Sequence, residues 1–266
     1  MNIKLIITDI DGTLLRNDHS LTKRTVKVFG EWRRQGAKVM LATGRHPVSC
    51  RSLAKQLNLE DPVISLNGGC VFDPRSDEIF YQEGLEMEDL HPFIEWARPL
   101  KQAYHLNTIK GCFTDTEKIG HFEHLQQIKD VTTIKDPVMK MAITGAEEKL
   151  NSIFDEVCSI ETTHRIVRSG EDTIDVMPSH VNKGAAMRTI CERLGIHPNE
   201  VIAFGNYFND REMIREAGIG VVMNNAPSAL KAEADIIALS NEEEGVADIL
   251  EAMLGEKPFK NTAAEA

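Results

Sequence analysis

Short apolar, β-prone runs alternate with helical stretches at the start of the chain, break off near residue 84 and resume after Lys183. Few architectures accommodate that interruption. Strand–helix–strand–helix–strand order specifies parallel strands joined by helical crossovers, hence an α/β doubly wound parallel sheet with helices on both faces. The first run, Leu5 to Ile7, reads as a buried central strand. Thr22 is placed to cap a helix running to Arg34, which Gly36 ends. Strand Lys38 to Ala42, a helix from Pro47 to Leu57 and strand Val63 to Ser65 follow.

The middle of the chain has a different rhythm. Asn67-Gly68-Gly69 is a turn signal, and two short strands surround a Pro/Asp/Ser turn, at Cys70 to Phe72 and Glu78 to Tyr81. Helices are expected over Glu86 to Leu100 and Glu147 to Cys158. Strands are expected near Tyr104 to Leu106, Lys140 to Ile143, Ile166 to Arg168 and Ile174 to Met177. After Lys183 come a helix to Leu194, strand Val201 to Phe204, helix Asn209 to Ala217 and strand Gly220 to Met223. A short helix from Pro227, strand Asp235 to Ala238 and helix Gly245 to Leu254 complete the pattern. The division expected is a discontinuous Rossmann-like core, 1–83 and 180–266, with an inserted α+β domain at 84–179. An insert that leaves and returns beside strand ends is positioned to be a lid. The tail 260–266 is expected to fray.

Composition narrows the partners. Lys plus Arg number 30 against 41 Asp plus Glu, a formal net charge of −11, which argues against a broad nucleic-acid footprint. A small anionic substrate remains compatible, because one metal ion and one lysine reverse the field locally. Five cysteines, with no C-x-x-C, suit reduced thiols in a cytoplasmic protein. No apolar stretch has the length to cross a bilayer, and no basic region followed by a long apolar run suggests a signal peptide. His121 and His124 share a face if their segment is helical, but three-residue spacing fits solvated or structural roles better than a metal site.

Chemistry-bearing residues cluster where the strands end. Asp9 and Asp11 follow the first strand, two apart and so on one side of an extended chain, and Gly12 permits a tight turn after them. The second strand ends in LATGR. There Thr43 offers a hydroxyl and Gly44 an exposed amide to an oxyanion, and Arg45 is placed to face a substrate or to pair with the insert. Lys183 opens a helix in VNKG, where the helix dipole disfavours a cation. GNYFND follows the strand Val201 to Phe204.

The string D-x-D-G-T-L after an apolar strand resembles the first motif of the haloacid dehalogenase superfamily. LATGR resembles the second, VNKG the third, and GNYFND with GVVMNNA the remainder. With the mid-chain insert, the chain looks like the Cof-type branch, which carries a class IIB α+β cap. The resemblance implies an aspartyl-phosphate mechanism, with Asp9 as nucleophile and Asp11 as general acid/base. It also implies that Thr43, Gly44, Arg45, Lys183 and Asn209 hold substrate phosphate, and that Thr13 supports the loop. The implied metal is Mg2+, held by Asp9, Asp11 through its backbone carbonyl, and position 206, with Asp210 compensating directly or through water. The family has Asp where this chain has Asn206, and a neutral oxygen binds a hard cation less strongly. The implied partner is a small phosphorylated metabolite such as a sugar, flavin or pyridoxal phosphate, with neither nucleic acid nor membrane. All four motifs lie outside the insert, so the insert is expected to set substrate choice. Rival readings are a phosphotransferase or mutase and a non-catalytic regulatory binder. Retention of the acid/base Asp11 speaks against the binder.

Overall fold

The computed structural model describes residues 2–117, 124–160 and 163–255. His121 and the tail 260–266 lie outside them. In chain order the strands are β1 Leu5–Thr8, β2 Lys38–Ala42, β3 Val63–Ser65, β4 Cys70–Phe72, β5 Ile79–Gln82, β6 Tyr104–Thr108, β7 Gly111–Thr114, β8 Leu125–Gln127, β9 Lys140–Thr144, β10 Arg165–Gly170, β11 Thr173–Met177, β12 Val201–Gly205, β13 Ile219–Met223 and β14 Ile236–Ala238. The helices are α1 Lys23–Arg34, α2 Pro47–Gln56, α3 Met87–Ala97, α4 Glu147–Cys158, α5 Lys183–Leu194, α6 Arg211–Glu216, α7 Ser228–Lys231 and α8 Gly245–Met253.

Two sheets result. The first has eight strands in the order β14-β13-β12-β1-β2-β3-β4-β5. Neighbours from β14 to β3 run parallel, and the β4–β5 hairpin extends the edge antiparallel. Thr22 caps α1 by accepting the Thr25 amide, and Gly36 follows the helix with φ +91°.

Alternation along β1 sorts its side chains between two cores. Ile6 faces Val28, Phe29 and Trp32 of α1 and Leu250 of α8, whereas Leu5 and Ile7 face Met187 and Ile190 of α5 and Met213 of α6. Fully burying one such side chain stabilises the fold by roughly 1.5–3 kcal/mol. A strand apolar on both faces therefore has no stable place except the centre of the sheet.

The second sheet has six strands in the order β10-β11-β9-β6-β7-β8, antiparallel except for the parallel β7–β8 pair. It packs α3 and α4 over its own apolar cluster, which includes Phe93, Leu106, Ile143, Leu150 and Ile174. Two of its strands were not expected from the sequence. β7 begins with glycine, and β8 is the polar run Leu125–Gln127, so neither shows apolar alternation. The helix expected over 209–217 begins instead as a 3-10 turn, Phe208–Asp210, before α6. No described helix is long and apolar enough to cross a membrane.

Order in the first sheet places the site. The chain leaves β1 for β2 and β3 on one side and returns through β12, β13 and β14 on the other. The carboxyl ends of β1, β2 and β12 thus converge at the switch point, where doubly wound sheets leave a crevice for ligands.

Candidate active site

β1 ends at Thr8, and the chain turns immediately, so the strand's two-residue alternation does not continue through Asp11. Asp9 is buried, its amide bonded to the Phe204 carbonyl of β12, whereas the Asp11 side chain lies half-exposed at the rim. The two aspartates therefore occupy different environments. Gly12 makes the turn with φ +72°, and a Cβ there would stand 2.4 Å from Asn206 Nδ2. Only glycine meets both demands.

Lys183 is the first residue of α5 and is fully buried. Its Nζ donates to Asp9 Oδ1 at 2.7 Å and to Asp210 Oδ1 at 2.6 Å. Burial opposes the ammonium's charge, but Asp210 and Asp9 more than offset it and hold the lysine protonated. Asp9 is pushed up to about 7, chiefly by burial. Lys183 opposes that shift, and the nearby Asp210 and Asp11 charges add to it.

Asp210 is also fully buried, and its second oxygen, Oδ2, accepts the backbone N–H groups of Asn206 and Tyr207 at 2.9 and 3.0 Å. Both carboxylate oxygens are engaged by the protein, so Asp210 braces the lysine and the loop together. Asn206 stands over the loop that follows β1, its Oδ1 accepting from Thr13 Oγ1 at 3.0 Å. Asn225, within GVVMNNA, donates from its amide to the Gly12 carbonyl at 2.8 Å and supports the same loop from β13's side.

Thr43 follows β2. Its backbone N–H is spent on Ile64 of β3, and its Oγ1 accepts the Arg45 N–H at 3.1 Å, which leaves the hydroxyl hydrogen to donate. The Arg45 guanidinium turns to Asp11 at the rim of the crevice and not to the insert. Nε and Nη2 donate to the two carboxylate oxygens of Asp11, at 2.7 and 2.5 Å, with His19 3.5 Å from Asp11 Oδ1. The planar guanidinium fits a carboxylate bidentately, and Asp11 is the nearby one not committed to Lys183. His46 caps α2 by accepting the Val48 N–H at Nδ1, so Nε2 carries the proton and donates to the Thr108 carbonyl of β6 at 2.9 Å.

Asn209, expected at the phosphate, donates from its amide to Asn67 Oδ1 at 3.0 Å, and its own Oδ1 has no hydrogen-bond partner. Asn67 itself was read from the sequence as a turn residue. The structure places its amide beside Gly44, a contact that the local turn signal does not encode. Three strand ends of one sheet and the head of α5 therefore bring a buried lysine–carboxylate cluster, a free hydroxyl donor and a rim acid–guanidinium pair to a single crevice.

That constellation stands at the carboxyl edge of a doubly wound sheet, where α/β folds of this kind bind their ligands. Residues 6–250 match the family model of haloacid dehalogenase-like hydrolases, and the chain belongs to that family. It is 31% identical over 251 residues to 5-amino-6-(5-phospho-D-ribitylamino)uracil phosphatase YcsE of Bacillus subtilis, covering 93% of this chain and 94% of that protein. It is 29% identical over 233 residues, 85% of each chain, to the HMP-PP phosphatase of Cronobacter sakazakii. The crystal structure of a haloacid dehalogenase-like hydrolase from Bacteroides thetaiotaomicron superposes with a TM-score of 0.81 at 29% identity, over 95% of this chain and 100% of that one.

Proposed function

We propose that this protein is a magnesium-dependent phosphatase that hydrolyses a small phosphorylated metabolite through an aspartyl-phosphate at Asp9. The observation that carries the proposal is the fully buried Lys183 bridging Asp9 and Asp210 at the carboxyl edge of β1 and β12. A buried lysine–carboxylate cluster adds little to stability that apolar side chains would not add. It does provide a fixed cation beside a carboxylate, and phosphoryl transfer needs both.

The donors at this edge suit a hard divalent cation, because they are oxygens and the local charge is negative. No group of three or more His, Cys, Asp or Glu converges to form a metal site among the described residues. The ligand set would instead be the Asp9 carboxylate, the Asp11 main-chain carbonyl and the Asn206 amide oxygen. Burial, with the Asp210 and Asp11 charges adding to it, raises Asp9 to about 7, and a cation there would favour its ionised form. Bound magnesium would neutralise charge on the phosphoryl oxygens and on Asp9.

The chain's own residues account for the rest. Asp9, held by one oxygen on Lys183, attacks phosphorus in line with the leaving oxygen. The Asp9–phosphorus bond forms as the bond to the leaving group breaks, and Asp11 gives its proton to the departing alkoxide. Asp11 then takes a proton from water. That water's oxygen bonds to phosphorus, and the Asp9 carboxylate is released with inorganic phosphate. Lys183, the Thr43 hydroxyl and the Gly44 amide hold the phosphoryl oxygens. Arg45 releases Asp11 as an incoming phosphate competes for its guanidinium.

The six-stranded domain, 84–179, serves as the cap that excludes water and selects the leaving group. The named activities of YcsE and of the HMP-PP phosphatase point to phosphates of small heterocyclic or sugar-like alcohols as substrates. The test is release of inorganic phosphate from a panel of such compounds, with and without magnesium. Release that requires magnesium supports the assignment. Transfer of the phosphoryl group to a sugar hydroxyl, with no free phosphate, would replace it with a mutase or transferase.

A further inference from the structure

The two sheets meet beneath Gly44 through a chain of buried polar groups. Lys140 lies on β9 and Asp175 on β11, both in the six-stranded sheet, and both are buried. Lys140 Nζ is 3.2 Å from each Asp175 carboxylate oxygen and donates to the Gly44 carbonyl at 3.0 Å. Asp175 Oδ2 also accepts from Asn67 Nδ2 at 2.7 Å, and Asn67 Oδ1 accepts from Asn209 Nδ2. An ionised aspartate only accepts hydrogen bonds, so the orientation of both amides follows from it. Asn67 must turn its NH2 to Asp175 and its oxygen to Asn209, and Asn209 must turn its NH2 to Asn67.

The consequence for the loop is specific. The peptide unit joining Gly44 to Arg45 is gripped at both ends: its carbonyl accepts from Lys140, and its N–H donates to Thr43 Oγ1. That grip fixes the Thr43 hydroxyl as an acceptor on one side, so its own hydrogen is left for a phosphoryl oxygen. Close packing prevents the loop from compensating elsewhere, since the Cβ position of Gly44 is 3.0 Å from Asn67 Oδ1. Neighbouring positions on the same strands, Met141, Ile143, Ile174 and Val176, are apolar and fully buried. Those side chains point to the opposite face of the sheet, into its own apolar cluster. A buried ion pair on the face turned to the loop is no better for stability than a well-packed apolar pair, so its use lies in what it orients.

We propose that Lys140 and Asp175 are positioning residues that set the Thr43–Gly44 segment for phosphoryl transfer, so that the phosphate-holding loop is fully formed only when the six-stranded sheet is seated on it. The proposal rests on the phosphatase reading for what the loop holds. Its structural content, a clamped Gly44–Arg45 peptide, does not depend on turnover.

The test replaces both charges together, Lys140→Met with Asp175→Leu, so that neither is left buried and unpaired. Melting followed by circular dichroism checks that the variant folds. Three quantities are then read: hydrogen exchange of the Arg45 amide, kcat and KM for p-nitrophenyl phosphate with magnesium, and affinity for inorganic phosphate by calorimetry. The Arg45 amide should exchange faster, and kcat should fall on the order of 10- to 100-fold, the size expected when a positioning contact shifts reacting groups by about an ångström. KM should move much less than kcat, and phosphate should bind more weakly. Lys140→Arg, which keeps charge and donors, should recover most of the lost kcat. If the double variant does not fold, the near-isosteric Asp175→Asn is measured in the same way.

A folded variant with unchanged Arg45 exchange and unchanged kcat overturns the proposal. So does a kcat that falls only in proportion to the folded fraction. If wild type hydrolyses nothing but exchange and phosphate affinity still respond to the pair, the phosphatase reading fails and the positioning role stands. If wild type turns over while exchange and kcat ignore the pair, the reverse holds.

Discussion

The two sheets contribute to the crevice in opposite ways. The eight-stranded sheet supplies its groups from strand ends and the helix start that follows: Asp9 after β1, Thr43 after β2, Asn206 and Asp210 after β12, Lys183 at the head of α5. The six-stranded sheet supplies Lys140 from the first position of β9 and Asp175 from the middle of β11; Lys140 reaches Gly44 directly, and Asp175 holds Lys140 and Asn67. Groups at strand ends sit on turns, where a carboxylate or hydroxyl can meet a ligand. Asp175 is held by the ladder on both sides and Lys140 by β6 on one, so this pair is placed to brace. On the proposed reading, the eight-stranded sheet carries the chemical groups, and the six-stranded one determines how firmly they are held.

The largest effect that would break this division is on the nucleophile. Asp9→Asn keeps the shape of the side chain and a hydrogen-bonding oxygen, so the fold should persist while kcat falls by at least about 10³-fold, as when an activated nucleophile is removed. Phosphate release by the purified variant measures it. Wild-type turnover would remove Asp9 from the chemistry.

Next comes the lysine behind it. Lys183→Met leaves Asp9 and Asp210 buried together without a cation, and breaking a buried pair from one side costs about 3–5 kcal/mol. Chemical denaturation should show that loss. A companion variant, Lys183→Met with Asp210→Leu, should regain stability without regaining activity. Recovery of activity would show that the lysine serves the fold alone.

The difference between the sheets also explains what the sequence reveals. Asp9, Thr43 and Lys183 lie in contiguous strings, because the groups that must meet a ligand are spaced by the local geometry of a turn. The partner of Arg45 was not legible, since it depends on where Asp11 points after β1 ends, and that is set by the turn at Gly12. Lys140 and Asp175 were seen only as parts of strands. Their contacts to Gly44 and Asn67 join residues 96 and 108 positions apart, and no periodicity encodes them. The position of all four motifs outside the insert pointed to substrate choice as its role; beyond that, Lys140 touches Gly44 and Asp175 holds Asn67. Strand β8 escaped notice for a related reason: an edge strand of Leu-Gln-Gln gains its place from pairing with β7 and not from its own pattern.

A smaller effect should appear at Asn206. Its Oδ1 already accepts from Thr13, and Asn206→Asp adds one negative charge while keeping that acceptor. Apparent magnesium affinity should tighten on the order of 10-fold, a typical consequence of perturbing a metal site. A magnesium titration of activity, paired with calorimetry, reads it. No change in either would exclude residue 206 from the ion's surroundings.

The smallest effect belongs to the six-stranded sheet. Burial drives His105 of β6 down to about 3, so the native protein keeps this imidazole neutral. An unfolded chain takes up the proton near the ordinary value of about 6.5, so stability is full above that pH and declines as pH falls toward 3. The penalty from this one group is roughly 1 kcal/mol at pH 6. Urea melts of wild type and His105→Gln between pH 5 and 8 should show a shallower acid decline in the variant. Parallel curves would mean that His105 titrates normally in the folded state.

The most direct measurement is on Asp9 itself. Wild type mixed with a substrate labelled in its phosphoryl group is quenched in acid within a turnover, digested and analysed by mass spectrometry. If Asp9 is the nucleophile, the label appears on the peptide that contains Asp9 and accumulates further in Asp11→Asn, where hydrolysis of the intermediate is slowed. Label absent from that peptide while phosphate is being released would contradict the assignment of Asp9 and, with it, the role given to Lys183.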